Sequence, residues 1–458
     1  MWRRSLGSDP PLPAAVVARS EAFGYSCEVS GLIVALLLPG CTAEVAEVVS
    51  VEGDSAVPGL AEPSVLIPDA GENGPYACAA PLGTPLDGGF TQAVAADLDT
   101  LLLGQPDVPL RTHMVLGADA AHEMFFVWQT RAETLGGRAQ LGFAEDGLSW
   151  TIPGVSYPVG GYRIHVARAC GLTADRSWRY RVGSDNGWSE VGSFTTAPEA
   201  GVDLPVRFAV LGDTRNGAAT FASLFADIEA AGVDYVAFTG DAVANGTNWA
   251  EWEQWFDAGG SSFLHVPFLF APGNHEANDV YYFALFPSHT GVGHQAVDAG
   301  PIHWAVVNDN ATAGVTVPSE AAWLAADLAQ ATAPWVVPAW HKPAVAACSP
   351  HGEDVNNRTY LLPVVDAAPS VRLVVNGHNH NYERSLPYRG GEVVDGGIVH
   401  LTSGGGGAPL YTGSYGYDYS ALQVKTQHWV LLEADARSLT ATAYDLAGNT
   451  VDSFTLTR

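Results

Sequence analysis

Five short segments each carry an apolar run into residues that bind metals or move protons. "FAVLGDTR" ends in Asp213, "YVAFTGDAV" in Asp241, "FLFAPGNHE" in Asn274 and His275, and "VVPAWHKP" in His341. The fifth, "VVNGHNHNYER", places His378 and His380 two residues apart after Val371–Val375. In extended geometry residues two apart point the same way, so both imidazoles can face one point at the end of a strand. Glycine precedes the polar residue in four of the five segments, which permits a sharp turn or a close approach of backbone. A single Gly-Asp after a strand is more often an ordinary turn, and a lone His-x-His a polar loop. Five such endings in one chain point instead to a shared site. Mixed imidazole and carboxylate donors favour Fe, Zn or Mn over Ca or Mg.

The elements that position these residues read as alternating strands and helices. Strands are predicted at 207–211, 235–239, 266–271, 302–307, 335–340 and 371–375, with helices at 219–231 and 319–331. That alternation indicates an α/β domain, in which sites gather at the carboxyl ends of strands. Further strands at 398–403, 428–433, 439–444 and 452–457 close the chain. Upstream the pattern is all-β, with strands at 112–116, 123–128, 140–143, 162–170, 178–182 and 191–196. Several short strands over this span indicate a β-sandwich. The runs "LTADRSWRYRVG" and "WSEVGSFTTAP" resemble a fibronectin type III-like module. Fold analogy alone gives such a module no chemistry.

The 458 residues suffice for two or three domains, and 47% hydrophobic against 15% charged residues is a globular composition. A net charge of −28, with Lys342 and Lys425 as the only lysines, argues against nucleic acid as a partner. The stretch from Gly31 to Pro39 fits a signal-peptide apolar region and is too short to span a bilayer. It runs into Leu38-Pro-Gly-Cys41, which resembles a bacterial lipobox. The expectation is an exported cell-envelope protein whose residues 1–41 form the signal peptide, touching membrane only through lipid on Cys41. Residues 42–106, rich in Pro, Gly, Ala and acids, read as a poorly ordered leader with one helical stretch at 91–103. Cys78, Cys170 and Cys348 then remain, so at most one disulfide forms. Cys170 alternates with apolar neighbours and reads as simply buried.

The ordered set Gly-Asp, Gly-Asp, Gly-Asn-His-Glu, His and Gly-His-x-His resembles the calcineurin-like metallophosphoesterase superfamily. The β-module in front and Tyr382-Glu-Arg after the last histidines resemble purple acid phosphatases within it. The resemblance implies a fibronectin type III-like β-sandwich over 107–198, followed by an α/β metallophosphoesterase domain over 205–458, layered α-β-β-α. It implies two metal ions bridged by Asp241. Asp213 and His380 would complete one site, and Asn274, His341 and His378 the other. His275 would serve as proton donor beside the ester oxygen. His351, in "CSPHGED", matches a histidine that contacts phosphate in acid phosphatases, or else is a solvated loop residue. Arg215 either holds phosphate oxygens bidentately or is an ion-pair partner.

Two positions depart from the pattern. Purple acid phosphatases have a tyrosine three residues after the bridging aspartate, where this chain has Ala244. Many other members have a histidine two residues after the first aspartate, where this chain has Arg215. The first metal therefore has three nameable ligands, and the phenolate-to-iron colour is expected to be missing. The implied reaction is acid phosphatase-like hydrolysis of a small phosphate monoester by in-line attack of a metal-bound hydroxide. A phosphodiesterase acting on nucleotides or lipid headgroups, and a catalytically weak surface-binding protein, are the alternatives. Neither "HEMFF" nor "HEAND" supplies the second histidine of a zinc protease helix, and no G-x-S-x-G elbow occurs.

Overall fold

The computed structural model describes residues 74–78, 93–94, 107–311 and 315–458. The predicted signal peptide, Cys41 and most of the leader lie outside the described residues. Within the leader, Tyr76–Ala77 is a strand paired antiparallel with Tyr162–Cys170. The next residue, Cys78, forms a disulfide with Cys170 across 92 residues. This corrects two expectations: residues 74–78 belong to the folded body, and Cys170 is a cross-link rather than a merely buried thiol. Among the described residues Cys348 is the free, buried cysteine. Ala93–Val94 pair as strand with 155–156, not as part of the predicted helix; the rest of that helix lies outside the described residues.

Opening the Cys78–Cys170 bond releases a long loop in the unfolded chain. Cys78→Ser is therefore expected to destabilise the protein by about 2–4 kcal/mol. Thermal unfolding of wild type and variant, with and without reductant, measures it. Reductant should lower the wild-type midpoint and leave the variant's unchanged.

All six predicted strands of the β-module form. Leu110–Leu116, Met124–Arg131, Tyr162–Cys170 and Val155–Val159 build one antiparallel sheet. Arg138–Phe143, Trp150–Pro153, Ser177–Ser184, Gly187–Trp188 and Gly192–Thr195 build the other. Alternation along Ser177–Ser184 turns Trp178, Tyr180 and Val182 inward. They pack with Phe126 and Phe194, the Phe126 and Tyr180 rings 4.7 Å apart. The strands at 150–153 and 155–159 had no sequence signal because Pro153, Gly154 and Pro158 interrupt the pattern.

The module is joined to the α/β part through its backbone. Phe268–Phe270 pairs parallel with Leu110–Leu116, Phe268 opposite Val115. One twelve-stranded sheet thus runs from the module through Phe268–Phe270, Tyr235–Phe238 and Val206–Leu211 to His428–Ala434, Ser438–Asp445 and Thr450–Thr457. A second, seven-stranded sheet holds Gln295–Ala299, Ile302–Val306, Trp335–Ala339, Leu373–Asn376, Val399–Ser403, Tyr382–Ser385 and Ser420–Val424.

Period-two alternation sorts the strand side chains into layers. From Val206–Leu211, Phe208 and Val210 enter a core with Trp304, Val337 and Val375 of the second sheet. Ala209 and Leu211 face the opposite way, onto Phe221, Leu224, Phe225 and Ile228 of helix Ala218–Ala230. The second sheet turns Ala305, Val307 and Val374 outward onto Leu324 and Leu328 of helix Val317–Leu328. The result is the expected α-β-β-α layering, with the two sheets face to face. Among the described residues no helix is long and apolar enough to cross a membrane.

Candidate metal centre

Every strand expected to deliver a polar residue does so at one edge of the two sheets. Val206–Leu211 and Tyr235–Phe238 run parallel, so Asp213 and Asp241 leave them in the same direction. Trp335–Ala339 and Leu373–Asn376 are likewise parallel and deliver His341 and His378. Asp213, Asp241 and His378 all have positive φ, at 57°, 56° and 66°. Three turns therefore hold backbone that ordinary residues avoid, and strain of this kind clusters where it aims a functional side chain. Glycine is required at two of the turns. A Cβ on Gly273 would meet Asp241 Oδ1 at 2.3 Å, and one on Gly377 would meet Asp213 Oδ2 at 2.6 Å.

The side chains converge as two overlapping groups. Asp213, Asp241 and His380 place ligand atoms within 4.8 Å of one another, and so do Asp241, His341 and His378. Asp241 is common to both. Asp213 Oδ2 accepts the His378 N–H at 2.8 Å, while Oδ1 lies 3.5 Å from His380 Nε2. Asp241 Oδ1 accepts the His275 N–H at 2.9 Å and sits 3.3 Å from His341 Nε2. Asp213 Oδ1 and Asp241 Oδ2 are buried without a hydrogen-bond partner. A buried carboxylate oxygen left so is costly unless something cationic meets it.

The histidines are oriented by carbonyl groups. His341 Nδ1–H donates to Thr239 O at 2.7 Å and His380 Nδ1–H to Pro409 O at 2.8 Å. Each turns Nε2 toward the centre, the arrangement that orients metal-ligating histidines. His378 Nδ1 faces His341 Nε2 at 3.2 Å. Burial pushes the Asp241 carboxyl up, but His341 and His275 outweigh it and hold Asp241 well below the usual range. Burial lowers His341, and the Asp241 charge reverses this and raises it to about 10. Burial, reinforced by His341, takes His378 down to about 2, so its imidazole stays neutral. Two buried carboxylates, neutral imidazole and unpartnered oxygens suit divalent or trivalent cations.

Of the other predicted residues, Asn274 is exposed at its turn. His275 donates from Nδ1 to Ala244 O at 2.6 Å, and its Nε2 accepts from Arg215. The Arg215 guanidinium also reaches His380 Nε2 at 3.2 Å and lies 3.7 Å from Asp241 Oδ2. His351 packs on His378, centroids 4.6 Å apart. Burial, then the His380 and Arg215 charges, lower its pKa.

Two residues escaped the sequence reading. Glu276 is buried, and its carboxylate accepts from the backbone N–H of Asp241, Ala242 and Gly273 at 2.9, 2.9 and 2.6 Å. It ties the Asp241 turn to the Asn274 turn; the motif contained it, but as a spectator. Tyr411 stacks on His380, centroids 4.3 Å apart and planes at 12°, and its hydroxyl lies 3.1 Å from His351 Nε2. The signal for it was Gly404–Gly407 directly after Val399–Ser403, one more strand end at this edge. That loop packs on the first turn, Ala408 N–H donating to Asp213 O at 2.8 Å.

The comparisons with known proteins agree with this geometry. Residues 206–382 match the model for calcineurin-like phosphoesterases, and residues 109–196 match that for the purple acid phosphatase N-terminal domain. An uncharacterized protein of Mycobacterium tuberculosis, Rv2577, is 26% identical over 386 residues, covering 69% of this chain and 72% of its own. Purple acid phosphatase 15 of Arabidopsis thaliana is 25% identical over 406 residues, covering 70% and 75%. The fold is shared with purple acid phosphatase PPD1 of yellow lupin at TM-score 0.68 and 19% identity, over 77% of this chain and 75% of that one. PhoD shares it at TM-score 0.57 and 12% identity, over 77% and 94%. The chain therefore joins a purple acid phosphatase N-terminal domain to a calcineurin-like metallophosphoesterase domain, whose strand ends gather the candidate metal-binding residues.

Proposed function

We propose that the protein is a dinuclear-metal phosphatase that hydrolyses small phosphate monoesters outside the cytoplasm. The observation that carries this is the pair of three-residue clusters sharing Asp241, with two buried carboxylate oxygens left unpartnered. Asp213, Asp241 and His380 would hold one ion, and Asp241, Asn274, His341 and His378 the other. Bound ions of Fe, Zn or Mn would lower the pKa of water and neutralise charge on the phosphoryl group.

The chain's own groups surround that chemistry. His275 Nδ1–H is committed to Ala244 O, so Nε2 is the atom that can carry a further proton to the leaving oxygen. An Arg215 N–H now shares the His380 Nε2 lone pair. With a cation held by Asp213 and His380, that lone pair would be taken and the Arg215 guanidinium would be free to hold phosphate oxygens. His351, whose Nε2 lies 3.1 Å from the Tyr411 hydroxyl, would donate to the same oxygens. The Cys78–Cys170 disulfide supports export, because such bonds persist in oxidising compartments.

Chelator treatment followed by readdition of Zn, Mn or Fe tests the proposal on a pair of aryl phosphates. Activity should vanish and return with metal, and the monoester should outpace the diester. A faster diester would favour the phosphodiesterase reading.

Colour gives a separate prediction. A ferric ion bound by phenolate absorbs strongly in the visible, and Ala244 supplies no phenolate. Tyr382, two residues beyond His380, is buried and donates its hydroxyl to Asp452 at 2.7 Å. Iron-loaded protein should therefore be colourless or pale. An intense visible band abolished by Tyr411→Phe or Tyr382→Phe would contradict this.

A further inference from the structure

Beyond Tyr411 the same loop carries Tyr415, Tyr417 and Tyr419. Tyr415 and Tyr417 are 49% and 42% exposed, whereas Tyr419 is buried. The series is fixed at both ends. Tyr415 donates its hydroxyl to Pro350 O at 2.6 Å, and its ring lies so close to Gly352 that a Cβ there would meet it at 2.7 Å. Tyr419 donates to Glu353 at 2.6 Å. Between them the ring centroids step 6.0 Å from Tyr415 to Tyr417 and 5.2 Å from Tyr417 to Tyr419. Pro350 and Gly352 flank His351, so the exposed rings begin directly beside a residue of the site. Rings already held in place lose little conformational freedom when a ligand covers them.

Charge narrows what that ligand is. Neither 343–357 nor 404–424 contains a lysine or arginine; Arg358, next in sequence, is paired with Glu353, while Asp354 and exposed Asp418 leave the net charge of these segments negative. Such a rim disfavours a second anionic group and offers π-faces to a flat neutral one. We propose that Tyr415 and Tyr417 form the leaving-group subsite. They select phosphate monoesters whose leaving group bears an uncharged aromatic ring, as a nucleoside 5′-monophosphate does. The proposal rests on the phosphomonoesterase reading above.

The test uses two esters that release the same kind of primary alcohol and differ by one ring: adenosine 5′-monophosphate and ribose 5-phosphate. The ratio of their kcat/KM values on metal-loaded full-length protein isolates the ring, because the reaction at phosphorus is common to both. Stacking of one base on tyrosine predicts a ratio of about ten. Tyr415→Ala and Tyr417→Ala should each lower it, and the double variant should bring it to about one. Tyr417→Phe, which keeps the ring, should retain it and guards against a change that merely disorders the loop. A wild-type ratio near one, or a ratio that survives the double alanine variant, overturns the subsite. Failure of the underlying reading looks different: no turnover of either ester, which removes the subsite with it.

Discussion

Asp241→Asn is expected to lower phosphoester turnover by at least about 100-fold and to lower metal content at both sites together. Loss of a group that merely hydrogen-bonds a metal ligand already costs about 10–100-fold, and Asp241 is the carboxylate common to both clusters. Asparagine keeps one acceptor for the His275 N–H, so the turn should hold. The lost charge is what two cations would share. Turnover and metal content should fall together, and the unfolding midpoint of metal-free protein should also fall, because the buried Asp241–His341 pair is broken. A variant that keeps wild-type activity and both ions would show that Asp241 does not bridge.

The largest expected effect on stability falls on Glu276, which was not assigned a role from sequence. Glu276→Ala leaves three buried backbone N–H groups without the carboxylate that accepts from them. Each orphaned donor costs about 1–3 kcal/mol, so a loss of about 3–5 kcal/mol is expected. Metal affinity should fall with it, because the same carboxylate holds the Asp241 and Asn274 turns together. Glu276→Gln retains one acceptor oxygen and should lose less on both counts. Denaturant unfolding of metal-free protein, paired with metal titration, separates the two effects. An alanine variant within about 1 kcal/mol of wild type would mean that the turns are held by other contacts.

The centre was legible because its donors sit on short turns after apolar strands, a pattern readable from the five segments together and not from His378-Asn-His380 or Gly240-Asp241 alone. Tyr411 and Glu276 were not legible as site residues. Tyr411 reaches His380 only through folding of the glycine loop over the Asp213 turn, and Glu276 acts through backbone groups of a distant turn. Helix Trp249–Gly259 was not among the predicted elements, although its signal was readable, with Asn248 as its cap and Trp249, Trp252, Trp255 and Phe256 among its buried residues. The pairing of Phe268 with Val115 had none. A parallel contact between residues so far apart leaves no trace in periodicity, so the module appeared detachable when its sheet is continuous with the next. Of the predicted helix at 91–103, only Ala93–Val94 lie among the described residues, and there the edge of strand 155–159 pairs them as strand, a contact that apolar spacing does not reveal.

Metal content per chain, measured on purified protein alongside aryl phosphate turnover, tests the central claim most directly. The account predicts about two ions per chain, with turnover that falls when they are stripped and returns when they are restored. Fewer than one ion per chain with turnover unchanged by chelation, or full occupancy with no turnover of any phosphoester, would contradict it.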